Sequence, residues 1–179
     1  MLHAPILETR QFDWPDEAAC AAWAAALAGR PELQDAHITL RGPLGAGKTS
    51  FVRHLLRALG VTGRVKSPTY TVVEPYQIGD LVVSHFDFYR FDDPRELEDA
   101  GLREVFAAPG LKLCEWPDKA GVLLPAADLA LYLDFAPTAE GRDTPATVAR
   151  ADTADIADTA DARAVRAEAL SPRGQALLP

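Results

Sequence analysis

The run Gly42-Pro43-Leu44-Gly45-Ala46-Gly47-Lys48-Thr49 constrains this chain more than any other part of it. A glycine, four residues and then Gly-Lys-Thr is the spacing of a phosphate-binding loop, or P-loop, when it joins a strand to a helix. That context is present. His37 to Leu40 reads as a short apolar strand, and from Lys48 the residues Phe51, Val52, Leu55, Leu56 and Leu59 recur at helical spacing until Gly60. Strand, glycine-rich loop and helix together open a nucleotide-binding α/β unit. The glycines reach backbone conformations closed to other residues, so that N–H groups and the helix dipole meet phosphate oxygens. Lys48 is expected to span the β- and γ-phosphates of a nucleotide and the Thr49 hydroxyl to bind Mg²⁺, with Ser50 completing the nucleotide-binding run. A glycine-rich turn with a solvated lysine is the plain alternative, and the flanking strand and helix argue against it.

The other segments extend this opening into a fold. Ile6 to Phe12 alternates as a half-polar strand, and Pro15, Asp16 and Glu17 have the chemistry of a first helical turn, which predicts an alanine-rich helix through Ala28 that stops at Gly29. Ser67 to Tyr76, bracketed by Pro68 and Pro75, reads as extended. Leu81 to Phe88 and Leu111 to Glu115 read as strands, with broken helix from Arg95 to Phe106 between them and Trp116-Pro117 closing the second. Leu129 to Phe135 alternates again, the segment with Val165, Ala167 and Ala169 pairs with it antiparallel, and Ser171 to Leu178 is a short terminal helix. The expected architecture is α/β: a P-loop NTPase fold with a largely parallel central sheet flanked by helices and an antiparallel C-terminal edge. One domain over residues 1–179 is expected, because 179 residues with 48% hydrophobic content suit one core. Asp143 to Asp161, in which A-D-T-A-D recurs around Ile156, offers little to bury and reads as a low-complexity loop inserted in a hairpin.

Charge and cysteine use narrow the function. A formal net charge of −8 works against autonomous binding to a phosphate backbone, which draws on Lys and Arg displacing counterions. Any RNA is therefore expected to be held by a partner. Cys20 and Cys114 each sit in an apolar run without a C-x-x-C or His neighbour, as expected in a reducing cytosol. Met1 to Trp14 does not read as a signal peptide, and no run is long and apolar enough to span a bilayer. The expected location is the cytoplasm.

Two carboxylates stand at strand ends. Asp87 and Glu115 would emerge beside the P-loop in a parallel sheet, where one carboxylate holds Mg²⁺ and another group orients the attacking water; spacing does not say which does which. Thr69 and Thr71 lie where switch loops sense a γ-phosphate, and turn formation explains them equally well. His85 has no second ligand nearby and reads as a packed or hydrogen-bonded histidine; Trp116 reads either as an apolar anchor or as a cover for nucleotide or partner. Arg53, His54, Arg57, Arg64 and Lys66 read as a solvated helix face and its sequel.

Taken together, G-P-L-G-A-G-K-T, S-P-T-Y-T at Ser67 to Thr71, H-F-D-F-Y-R at His85 to Arg90 and E-W-P at Glu115 to Pro117 resemble the TsaE family. The likeness extends to Glu74-Pro75-Tyr76, Glu96 to Gly101 and S-P-R-G at Ser171 to Gly174, and so covers nearly the whole chain. What the resemblance implies is an Mg²⁺-dependent ATPase that works with TsaB- and TsaD-like proteins to make N6-threonylcarbamoyladenosine in tRNAs reading codons that begin with A. The transfer chemistry itself would belong to TsaD, and tRNA would be met through the complex. By motif, Lys48 is the phosphate lysine, Thr49 and Glu115 are Mg²⁺ and catalytic residues, Asp87 is the metal-side carboxylate, and Thr69 and Thr71 form the switch loop. Glu17 matches a position near the nucleotide loosely, and an ATP-contacting arginine falls on Arg142 ahead of Arg163.

A small-molecule P-loop kinase is the main rival, needing a lid of arginines for which Arg90, Arg95 and Arg103 are the candidates. A regulatory GTPase lacks its Asp-x-x-Gly and Asn-Lys-x-Asp signatures here, and a module that uses ATP only to gate association is the third reading.

Overall fold

The protein is described here by a computed structural model, for residues 5–91, 93, 101–121, 124–136 and 162–179. Strand β1 (Glu8–Trp14) leads to helix α1 (Glu17–Ala28), whose first turn is capped by the Asp16 carboxylate accepting from the Ala19 N–H at 2.8 Å. A 3-10 turn (Pro31–Asp35) precedes β2 (His37–Arg41), the P-loop and α2 (Lys48–Ala58). The antiparallel pair β3 (Val73–Ile78) and β4 (Leu81–Asp87) follows. Short α3 (Leu102–Ala107), β5 (Leu111–Glu115), α4 (Pro117–Ala120), β6 (Leu129–Phe135), β7 (Arg163–Ala169) and α5 (Pro172–Leu177) complete the described chain.

The described strands join one seven-stranded sheet in the order β1-β7-β6-β2-β5-β4-β3. β1, β6, β2, β5 and β4 run one way, with β7 and β3 against them, so the sheet is largely parallel. β5 is buried at every position, which is why LKLCE shows no alternation. The expected antiparallel pairing of β7 with β6 is present, and β1 adds on the outer side of β7, so the N-terminal strand forms that edge. β1 also begins two residues later than the alternation suggested. Ile6 and Leu7 are exposed, whereas Trp14, 3% exposed, stacks on Phe51 and meets Trp23.

Helices α1 and α2 cover one face of the sheet. α2 buries Phe51, Val52, Leu55 and Leu56 against Ile38, Leu40 and Leu113, and the alanines of α1 let it lie close along α2. Phe86, Phe88, Phe91, Leu102, Cys114 and Ala120 form a second cluster. The expected extended run Ser67 to Tyr76 divides: turns as far as Val72, strand from Val73. Of the broken helix expected from Arg95 to Phe106, the described part is α3, while Arg95 and Glu96 to Ala100 lie outside the described residues. The insertion at 143–161 and Arg142 lie outside them too.

Candidate functional site

Parallel pairing sets the site at one end of the sheet. β2, β4 and β5 point their C-terminal ends the same way, and the register places Asp87 opposite Glu115 and Glu115 opposite Leu40, just before the P-loop. A cleft of about 360 Å³ opens there, lined by Leu44, Gly45, Gly47 to Ser50, Ser67, Thr69, Asp87, Tyr89, Glu115 and Trp116. This is the crevice beyond the carboxyl ends of an α/β sheet in which ligands bind.

The loop is shaped from behind. Gly42 has φ 135°, and a Cβ there would lie 2.0 Å from the Leu133 carbonyl oxygen, so glycine alone lets the chain leave β2 past β6. Lys48, 4% exposed, donates to the carbonyls of Gly42 and Pro43, both at 2.8 Å, and its ammonium lies 3.9 Å from the centre of the Trp116 ring. Arg163 donates to Ala46 O at 3.1 Å and Gly45 O at 3.3 Å. With those carbonyls engaged by cations, the partial charge the loop turns to a ligand is that of its N–H groups and of the α2 N-terminus, which favours an anion. Burial pulls the Lys48 ammonium below its ordinary range, against the opposing pull of Glu115 and Asp87.

Each strand-end carboxylate has its own hydroxyl partners. The Thr49 Oγ1 is 2.9 Å from both oxygens of Glu115, and His85 Nε2 is 2.8 Å from Glu115 Oε1. Ser67 and Thr69 hydroxyls both contact Asp87 Oδ2, and the two hydroxyls are 2.7 Å apart. The loop before β3 is also tied to Asp87 through the main chain, since the Asp87 N–H donates to Val72 O at 3.0 Å. Val72 and Trp116, with φ 66° and 57°, are the two described non-glycine residues in the left-handed region, and they flank this pair of carboxylates.

A second, smaller hollow of about 110 Å³ lies on the α1 side of the P-loop. Trp14, Asp16, Glu17, Cys20, Ala46, Gly47, Ser50 and Arg163 line it. Glu17 meets His54 at 3.0 Å, and burial first, then Glu17, pushes the Cys20 thiol up to about 12. Because Gly47 and Ser50 line both hollows, a ligand seated on the loop has room on either side of it.

Most of the expected site residues converge. Leu44, Gly45, Gly47, Lys48, Thr49, Ser50, Thr69, Asp87 and Glu115 line the main cleft, and Ala46 and Glu17 line the smaller one. Gly42 and Pro43 line neither and act through their carbonyls on Lys48. Thr71 is exposed and outside the cleft lining; Ser67 takes the place the sequence reading gave it, because Thr71 lies beyond the turn at Pro68. Arg163, ranked second for the ATP-contacting arginine, is the one the described structure sets against the P-loop. Of the proposed lid arginines, Arg90 stacks over Tyr70 at 4.1 Å.

The sheet order, the glycine-rich loop between β2 and α2 and the paired strand-end carboxylates define an α/β fold of the P-loop NTPase class. The family model for Threonylcarbamoyl adenosine biosynthesis protein TsaE matches residues 14–143, and the chain belongs to the TsaE family. The protein named tRNA threonylcarbamoyladenosine biosynthesis protein TsaE from Haemophilus influenzae is 46% identical over 98 residues, 55% of this chain and 62% of that protein. Its namesake from Bacillus subtilis is 42% identical over 96 residues, 54% of this chain and 60% of that one. The matched stretches thus span less than two thirds of either relative. The crystal structure of Bacillus subtilis YdiB superposes with a TM-score of 0.68 over 95% of this chain and 91% of that chain, at 24% identity, a likeness of fold.

Proposed function

We propose that this chain is the Mg²⁺-dependent ATP-binding and ATP-hydrolysing component of the machinery that forms N6-threonylcarbamoyladenosine in tRNAs reading codons that begin with A. It acts in the cytoplasm with TsaB- and TsaD-like partners and meets tRNA through them. The observation that carries the reading is the single cleft in which the P-loop, Lys48, Thr49, Glu115 and Asp87 converge. Family membership and the names of the relatives supply the pathway, and the net charge of −8 favours tRNA contact through partners.

The donor set fits Mg²⁺. Thr49, Glu115 and Asp87 offer only oxygen, and among the described residues no cluster of three His, Cys, Asp or Glu forms a cage. A hard cation held by one or two carboxylates, a hydroxyl and substrate phosphates has those requirements. Thr49, Glu115 and Asp87 would hold it, and the cation would neutralise charge on the phosphate oxygens. Lys48 supplies a second positive charge from a site where burial makes the ammonium costly, and an anionic phosphate would offset that cost. The Ser67 and Thr69 hydroxyls both meet Asp87 Oδ2 and would fix that carboxylate beside the cation and the phosphates. Arg163 and Glu17 line the smaller hollow on the α1 side of the loop, where they could meet the rest of a nucleotide seated there.

Calorimetry with ATP and Mg²⁺ is expected to show binding that Lys48→Ala abolishes, and ADP release is expected to rise when TsaB- and TsaD-like partners are added. Depletion in cells is expected to remove the modified nucleoside from tRNA, with rescue by the intact chain alone. No ATP binding even with partners present, or unchanged nucleoside levels on complete depletion, refutes the proposal.

A further inference from the structure

We infer that His85 is a positioning residue that fixes the Glu115 carboxylate for metal binding, an inference that rests on reading the cleft as an Mg²⁺-nucleotide site. His85 lies on β4 opposite Leu113, two residues ahead of the Asp87–Glu115 pair, so the two-residue period of both strands puts it on the same face as the carboxylates. It is 0% exposed, its Nε2 lies 2.8 Å from Glu115 Oε1, and Glu115 is itself 2% exposed. A carboxylate only accepts, so Nε2 carries the proton of this bond. The other ring nitrogen, Nδ1, is buried without a hydrogen-bond partner among the described residues.

That unmatched nitrogen separates a positioning role from ordinary packing. An apolar side chain would fill the same space on that face of β4 without the cost of a buried, unpaired polar atom. Among the described residues the imidazole's polar contact is with Glu115, the same carboxylate that the Thr49 hydroxyl meets. The terminal torsion of a glutamate is broad and roughly two-fold, so an untethered carboxylate rotates. His85 engages Oε1, which leaves Oε2 as the oxygen free of it, while the Thr49 hydroxyl lies 2.9 Å from both. Partners behind a metal ligand act in this way, orienting the ligand, and losing one typically weakens metal affinity or activity about 10- to 100-fold.

The test compares His85→Leu, which removes the donor, with His85→Gln, whose amide N–H₂ can reach the same oxygen. Mn²⁺ binding to the full chain with ADP, followed by electron paramagnetic resonance, reports the metal site without turnover. His85→Leu is expected to bind Mn²⁺ about 10- to 100-fold more weakly and His85→Gln to recover most of that loss. ADP affinity without metal is expected to stay within about two-fold of the native value in both. Native-like Mn²⁺ binding in His85→Leu overturns the inference, as does a His85→Gln variant no better than His85→Leu while thermally as stable as the native chain. Failure of the native chain itself to bind ADP and Mn²⁺ overturns the cleft reading, and the inference falls with it.

Discussion

Thr49→Val probes whether Thr49 and Glu115 are bonded in the protein without any ligand. The substitution keeps the β-branch and size of the side chain in the first turn of α2 and removes the hydroxyl that lies 2.9 Å from both oxygens of Glu115. Glu115 is 2% exposed, so water does not replace the lost donor freely, and His85 is then its remaining described side-chain donor. A hydrogen bond to a charged group contributes about 1.5–3 kcal/mol. In a chain of this size each kcal/mol moves the melting temperature by roughly 2–4 °C, so Thr49→Val is expected to melt about 3–12 °C below the native protein. Differential scanning calorimetry without nucleotide measures this, and combining Thr49→Val with Glu115→Gln should give a coupling of about 0.5–3 kcal/mol. Melting within about 1 °C of native, with effects that add to within about 0.3 kcal/mol, refutes the argument that Thr49 and Glu115 are bonded in the nucleotide-free protein.

Gly42→Ala is expected to destabilise the fold by about 3 kcal/mol or more, because the new Cβ would lie 2.0 Å from the Leu133 carbonyl at a φ of 135°; a urea midpoint close to native contradicts this. The folded-state pKa of Cys20 is raised from 9.0 to about 12, so the native chain holds its thiol proton more tightly than the unfolded chain. Stability from this group is present below pH 9.0 and is lost as pH rises toward about 12. Urea midpoints measured across that window should fall less steeply in Cys20→Ala, and parallel slopes would show that the thiol is not desolvated.

The parts of the fold legible in the sequence are those whose signal is local. Helix α2 follows from the spacing of Phe51, Val52, Leu55 and Leu56, and β5 and β6 from short apolar or alternating runs bounded by turn residues. The end of β1 was not legible, because Trp14 is recruited into the strand by packing on Phe51 and Trp23, residues of two separate helices. At the site, the P-loop and the strand-end carboxylates could be read because their chemistry depends on spacing along one segment. Ser67 could not be told from Thr71, since which hydroxyl reaches Asp87 depends on the path of the turn after Pro68. The partnering of Thr49 with Glu115 depends on the register of β2 on β5, a long-range fact. His85 was legible as a hydrogen-bonded histidine, but its acceptor was not.

The turn that ends at Val72 has a mechanical consequence. A β-branched residue held at φ 66° stores about 1–3 kcal/mol, and its neighbours on both sides hold it there: its N–H donates to Pro68 O at 2.7 Å and its carbonyl accepts from Asp87. The segment is therefore a loaded latch whose catch is Asp87, gripped by Ser67, Thr69 and the main chain at once. Edge strand β3 begins at the next residue, so this strained turn sits at the rim of the sheet, at the opposite edge from β1.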